Sequence, residues 1–130
     1  MTNKRIETDQ APAAIGPYCQ AVAAGDWVYC SGQLALDPSD GQMQGDGDIE
    51  EETRQVLRNL DAVLKKAGAN RGNVVKATVY LTDMSEFSKM NQVYAQFFEG
   101  HTPPARATVQ VAALPRGAKV EIDFTARVER

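Results

Sequence analysis

"DIEEETRQVLRNLDAVLKKAGANRGNVVKATVYL", residues 48–81, changes its hydrophobic period partway, and that change decides the fold class. Ile49, Val56, Leu57, Leu60, Val63, Leu64 and Ala67 recur at steps of three and four, which is one apolar face of a helix. Asp48 can cap it and Glu51, three residues on, makes a capping-box-like pair. Lys65 and Lys66 suit the negative end of the helix dipole, and Gly68 supplies the stop. From Val74 the step falls to two: Val75, Ala77, Val79 and Leu81 alternate with Val74, Lys76, Thr78 and Tyr80, the signature of a half-buried strand. A helix that leads into a strand with one greasy face calls for a layered α+β arrangement.

The rest of the chain repeats both patterns. A second helical stripe, Phe87, Met90, Val93, Tyr94, Phe97 and Phe98, follows Asp83 and Ser85 as candidate caps and ends near Gly100. "KVEIDFTARV" (119–128) and "RATVQV" (106–111) alternate as strands do. "CQAVAAG" (19–25) and "WVYCSGQ" (27–33) read as a hairpin turning at Gly25 and Asp26, and "IET" (6–8) as a short first strand. The predicted order is β-β-β-α-β-α-β-β, a two-layer α+β sandwich with a six-stranded sheet and two helices on one face. At 130 residues, one domain spanning 1–130 is expected.

Composition removes several classes of function. A net charge of −3 and a pI near 5.1 argue against a phosphate-binding surface, so no nucleic acid partner is expected. The first ten residues have no apolar stretch behind their basic pair, and no run approaches the roughly 20 apolar residues that span a bilayer, so the expected location is cytoplasmic, with no membrane partner. Cys19 and Cys30 lack CxxC or Cys/His spacing and read as reduced, packed thiols. "LDPSDGQMQGDGD" (36–48) offers no frame with both Gly and Glu where a calcium-binding EF-hand loop needs them, and His101 stands alone in a loop. No metal site, nucleotide motif or nucleophile–histidine arrangement is indicated, which leaves Arg, Glu, hydroxyls, backbone groups and water to do any chemistry.

With helices covering one side of the sheet, the other side becomes the place to look. Arg106, Thr108 and Gln110 alternate with Ala107, Val109 and Val111, and Glu121 and Asp123 lie on the non-apolar side of the last strand. Arg106 and Glu121 are therefore able to share one face, an inference that a one-residue bulge in either strand would break. On pattern alone, the plain reading is a wet face with a cross-strand ion pair worth at most about 1 kcal/mol. Tyr80 on the same face, the stiff "PPAR" lead into the strand, and the "SGQ" strand end with its accessible Gly32 point instead to a site or a subunit interface.

"GPYCQAV" (16–22), "SGQ" (31–33), "NLDAVLKKAG" (59–68), "VVKATVYLTDM" (74–84), "MNQVYAQFF" (90–98), "PPARATVQVAALP" (103–115) and "KVEID" (119–123) together resemble, in order and spacing, the RidA family, also called YjgF or L-PSP. The resemblance implies a chorismate-mutase-like fold with a mixed sheet, assembled as a homotrimer with clefts between subunits. It also implies an enamine/imine deaminase that needs no cofactor: a hydrolase acting on C–N bonds that converts 2-iminopropanoate or 2-iminobutanoate, formed from 2-aminoacrylate and its homologues, to a 2-oxo acid and ammonia.

Residue by residue, the resemblance makes Arg106 the clamp for the substrate carboxylate and Glu121 the acid that handles water and protons. Tyr18 becomes an aromatic cleft wall, Ser31 and Asn91 polar lining, and Gly32 and Thr108 mainly backbone contacts. Thr108 stands where the family often has cysteine, which excludes a thiol role there, and Asp123 replaces a common glutamate. Two alternatives remain: a non-catalytic trimer that binds small 2-oxo acids, and an endoribonuclease or translation inhibitor, disfavoured by the acidic chain with no basic stripe.

Overall fold

The computed structural model describes residues 2–129; Met1 and Arg130, the two ends of the expected 1–130 domain, lie outside the described residues. Six strands and two helices follow the predicted order: β1 (Lys4–Ile6), β2 (Ala21–Ala24), β3 (Trp27–Gln33), α1 (Ile49–Lys66), β4 (Val74–Leu81), α2 (Phe87–Phe97), β5 (Ala105–Gln110) and β6 (Val120–Arg127). They form one sheet in the order β1-β2-β3-β6-β4-β5, antiparallel throughout except for the parallel pair β4/β5. The parallel pair exists because α2 carries the chain back across the sheet between those two strands.

Both helices lie on one face. The stripe of α1 buries Val56, Leu57, Leu60, Val63 and Leu64 against Val28, Ile122, Phe124 and Ala126, while α2 adds Met90, Val93 and Phe97. Each fully buried Leu, Val or Ile contributes about 1.5–3 kcal/mol, so this layer carries most of the stability. Asp48 caps α1 as expected, accepting from the Glu50 N–H at 2.9 Å and the Glu51 N–H at 3.4 Å, while the Glu51 carboxylate pairs with Arg54. The cap expected for α2 works one turn earlier: Asp83 accepts from the Ser85 N–H at 2.9 Å in a single 3-10 turn that leads into Phe87.

Two bulges separate sequence pattern from observed faces. Val74 pairs with Ala126 but Lys76 with Thr125, so Val75 is the extra residue; Val74 turns inward in its place and Val75 is left exposed. In β3, Cys30 pairs with Phe124 and Gln33 with Ile122, which leaves one residue too many in the Ser31–Gly32 stretch. Neither helix covers the other face of the sheet, where Trp27 is 40% exposed, Tyr29 50% and Val109 41%.

Candidate functional site

Arg106 sits on β5, the edge strand, and its register fixes where it points. Arg106 pairs with Ala77 and Thr108 with Val79, both buried beneath the helices, so Arg106 and Thr108 belong to the helix-side face. Glu121 pairs with Tyr80 and Asp123 with Thr78, so both belong to the open face. The expectation that Arg106 and Glu121 share a face is therefore wrong. Alternation sorts the residues of one strand into two sets, but only the pairing of β5 with β4 says which set goes where. At the sheet edge the helix layer is incomplete, so a polar set is tolerated on the side that is apolar elsewhere.

The helix side of that edge is built by α2. Phe87, Asn91 and Tyr94 recur at helical spacing along one side of it and meet the Arg106 side chain. An Arg106 N–H donates to Asn91 Oδ1 at 2.7 Å, and the guanidinium carbon lies 4.7 Å from the centre of the Tyr94 ring and 5.5 Å from that of Phe87. Cation–π contact and one hydrogen bond thus hold the planar fork in a set direction. Burial pushes the Tyr94 phenol up to about 12 against the opposing pull of the Arg106 charge, so the ring keeps its proton at working pH.

The second group gathers at the β3 bulge. Ser31 Oγ donates to the Cys19 carbonyl at 2.6 Å and the Ser31 N–H to the Gln20 carbonyl at 2.9 Å, which ties the segment carrying the half-exposed Tyr18 to the bulge. Gly32 faces Glu121 so closely that a Cβ there would overlap Oε2 and lie 2.8 Å from Cδ, which explains the residue type without any unusual backbone angle. Burial first, and the Asp123 charge second, hold the Glu121 carboxyl above its ordinary range. Asp123 in turn accepts from the Tyr80 hydroxyl at 3.1 Å. The structure therefore brings together Ser31, Gly32 and Glu121 in one corner, with Tyr18 next to the Cys19 that Ser31 holds, and Asn91, Arg106 and Thr108 in another. Arg106 on β5 and Glu121 on β6 stand two strand positions apart, about 10 Å, and point to opposite faces, so the two corners of one chain do not meet around a small molecule.

Sequence reasoning missed Phe87 and Tyr94, whose places in the apolar stripe of α2 hid their contacts with Arg106. The expected absence of a basic stripe also needs correction. Arg54, Arg58, Lys65, Lys66 and Arg71 line a depression of about 740 Å³ across α1 and α2, although Glu51 pairs with Arg54 and Asp61 with Lys65 and Arg71. None of the predicted site residues lines it. Both cysteines are free thiols, and burial with the nearby Asp123 charge pushes Cys30 up to about 12, an unreactive state. Among the described residues no group of three or more His, Cys, Asp or Glu side chains is placed to hold a metal ion, and no helix is long and apolar enough to cross a membrane.

Comparison with known proteins matches this geometry to a family. The family model described as endoribonuclease L-PSP matches residues 8–128. The mouse protein named 2-iminobutanoate/2-iminopropanoate deaminase is 53% identical over 123 residues, covering 95% of this chain and 90% of its own. The crystal structure of the Rid-family protein YyfA from Yersinia pestis superposes with a TM-score of 0.95 at 46% identity, covering 98% of this chain and all of that one. The E. coli protein TdcF, crystallised with bound serine, superposes at 0.92 with 42% identity, covering 97% and 99% of the two chains. With the motifs, the strand order and these likenesses in agreement over nearly its whole length, the chain belongs to the RidA (YjgF, L-PSP) family.

Proposed function

We propose that the protein is a cofactor-independent cytoplasmic deaminase that hydrolyses 2-iminopropanoate or 2-iminobutanoate to the 2-oxo acid and ammonia, at sites shared between the subunits of a homotrimer. The observation that carries this reading is the separation of a held arginine from a raised carboxyl on opposite faces of one sheet. Each is half of a site, and a second copy is the economical source of the other half. Trp27, Tyr29 and Val109, exposed on the same open face as Glu121, are the apolar surface such an assembly would cover.

In this reading the Arg106 fork takes the substrate carboxylate in two parallel hydrogen bonds and sets the C=N carbon near the Glu121 of a neighbouring copy. Starting from the protonated imine, the Glu121 carboxylate takes a proton from water as the oxygen adds to that carbon, giving a carbinolamine. It then passes that proton to the nitrogen and accepts the hydroxyl proton as the C–N bond breaks, so that ammonia leaves, the C=O forms and the proton left on Glu121 is released to solvent or ammonia. Tyr18 walls the cleft. Gly32 leaves the space that Glu121 occupies, and Thr108 offers its backbone. Ser31, whose hydroxyl is committed to the Cys19 carbonyl, serves mainly by fixing the bulge. The named deaminases among the relatives support the reaction class, and the serine-bound relative supports an amino-acid-sized ligand.

The test couples the protein to an enzyme that releases 2-aminoacrylate and follows pyruvate. Faster keto-acid release with the wild type, abolished in Arg106→Ala, is expected; an Arg106→Ala variant as active as the wild type would sink the assignment. Calorimetric binding of 2-oxobutyrate without any acceleration would favour a binding protein instead.

A further inference from the structure

Among the described residues, two buried side-chain oxygens have no hydrogen-bond partner, and both belong to neighbours of Arg106: the Tyr94 hydroxyl and Thr108 Oγ1. Leaving a buried hydroxyl unpaired is costly, and native proteins seldom tolerate it without a reason. Tyr94 is only 5% exposed, its ring packs 5.0 Å from that of Phe98, and its face lies 4.7 Å from the Arg106 guanidinium carbon. Phenylalanine would keep all of those contacts and remove the unpaired oxygen. Valine would do the same at Thr108, two residues along β5 on the same side as Arg106. Packing alone thus favours the residues that are not there.

We propose that the Tyr94 and Thr108 hydroxyls are donors kept for the carboxylate that Arg106 binds. This rests on the functional reading above and specifies its anion subsite. A carboxylate offers roughly four lone-pair positions, of which a bidentate guanidinium takes two. In a site closed off from water the other two need donors, and two hydroxyls in need of partners belong to residues flanking Arg106: Tyr94, whose ring lies against the guanidinium, and Thr108, two residues along the same face of β5. The Thr108 side chain then has a role of its own in this chain, added to its backbone contact.

Calorimetry with 2-oxobutyrate, alongside thermal melts without ligand, tests this on wild type, Tyr94→Phe and Thr108→Val. Each variant is expected to melt at the wild-type temperature or above it while binding about tenfold more weakly, a pairing that a purely structural hydroxyl would not produce. Tyr94→Leu, which also removes the ring beneath Arg106, should bind more weakly still. A Tyr94→Phe variant that binds like the wild type, or that melts several degrees lower, overturns the inference while leaving the functional reading in place. A wild type that binds no 2-oxo acid and shows no deaminase activity overturns both.

Discussion

The Arg106 corner and the Glu121 corner solve opposite electrostatic problems with the same sheet. At the β5 edge a guanidinium is held and steered, with two aromatic faces around it and one amide oxygen accepting from it. At the β3 bulge a carboxyl is made reluctant to ionise, because it is half-buried and faces a second acid two residues on in the same strand. In the proposed reading one corner binds an anion and the other trades a proton. A single chain keeps them on opposite faces, which is why the proposed site draws on a second chain.

The largest expected difference between the corners comes from one methyl group. In Gly32→Ala the new Cβ must displace the Glu121 carboxylate, which can swing because it is the end of a flexible side chain. The variant should fold with a near-normal melting curve yet lose on the order of 100-fold or more in kcat, the scale of a lost general acid–base group, with KM little changed. On the other side, Asn91→Ala frees the guanidinium from its 2.7 Å anchor and should raise KM by about tenfold with a smaller effect on kcat. Equal kcat effects from the two variants would erase the proposed division of labour.

The smallest effect expected is a shift along the pH axis. The Asp123 charge helps to raise Glu121, so Asp123→Asn should move the acid limb of the rate profile to lower pH and leave the plateau nearly unchanged. Because folding raises this carboxyl's pKa, the folded state is penalised once Glu121 ionises. Glu121→Gln should therefore melt slightly higher than the wild type at neutral pH, and the gain should vanish below the ordinary carboxylate range. A limb that stays in place in Asp123→Asn would remove Asp123 from the account.

The fold was legible because its signals are local. The stripe from Ile49 to Leu64 and the alternation in β4 and β6 each follow from residues close together in the chain, and six strands and two helices in that order leave few ways to cover one apolar face. The bulges were not legible, since nothing around Val75 or Ser31–Gly32 marks which residue will be left unpaired. Alternation singles out Arg106 and Glu121 and the family resemblance gives them roles, but their facing depends on the pairing of β5 with β4, a contact between segments separated by a whole helix. Tyr94 was hidden in plain view: on pattern it is one more residue of the α2 core, and only the unpaired hydroxyl and the guanidinium over its ring set it apart.

The claim that each site draws Arg106 from one copy and Glu121 from another is tested most directly by mixing two inactive proteins. Arg106→Ala and Glu121→Gln, unfolded together in equal amounts and refolded, should recover about a quarter of the wild-type rate, because random assembly in a ring pairs an intact arginine face with an intact glutamate face that often. Rates no higher than those of the separate variants, in a mixture shown to have exchanged subunits, would mean that each chain carries its own complete site and would contradict the account.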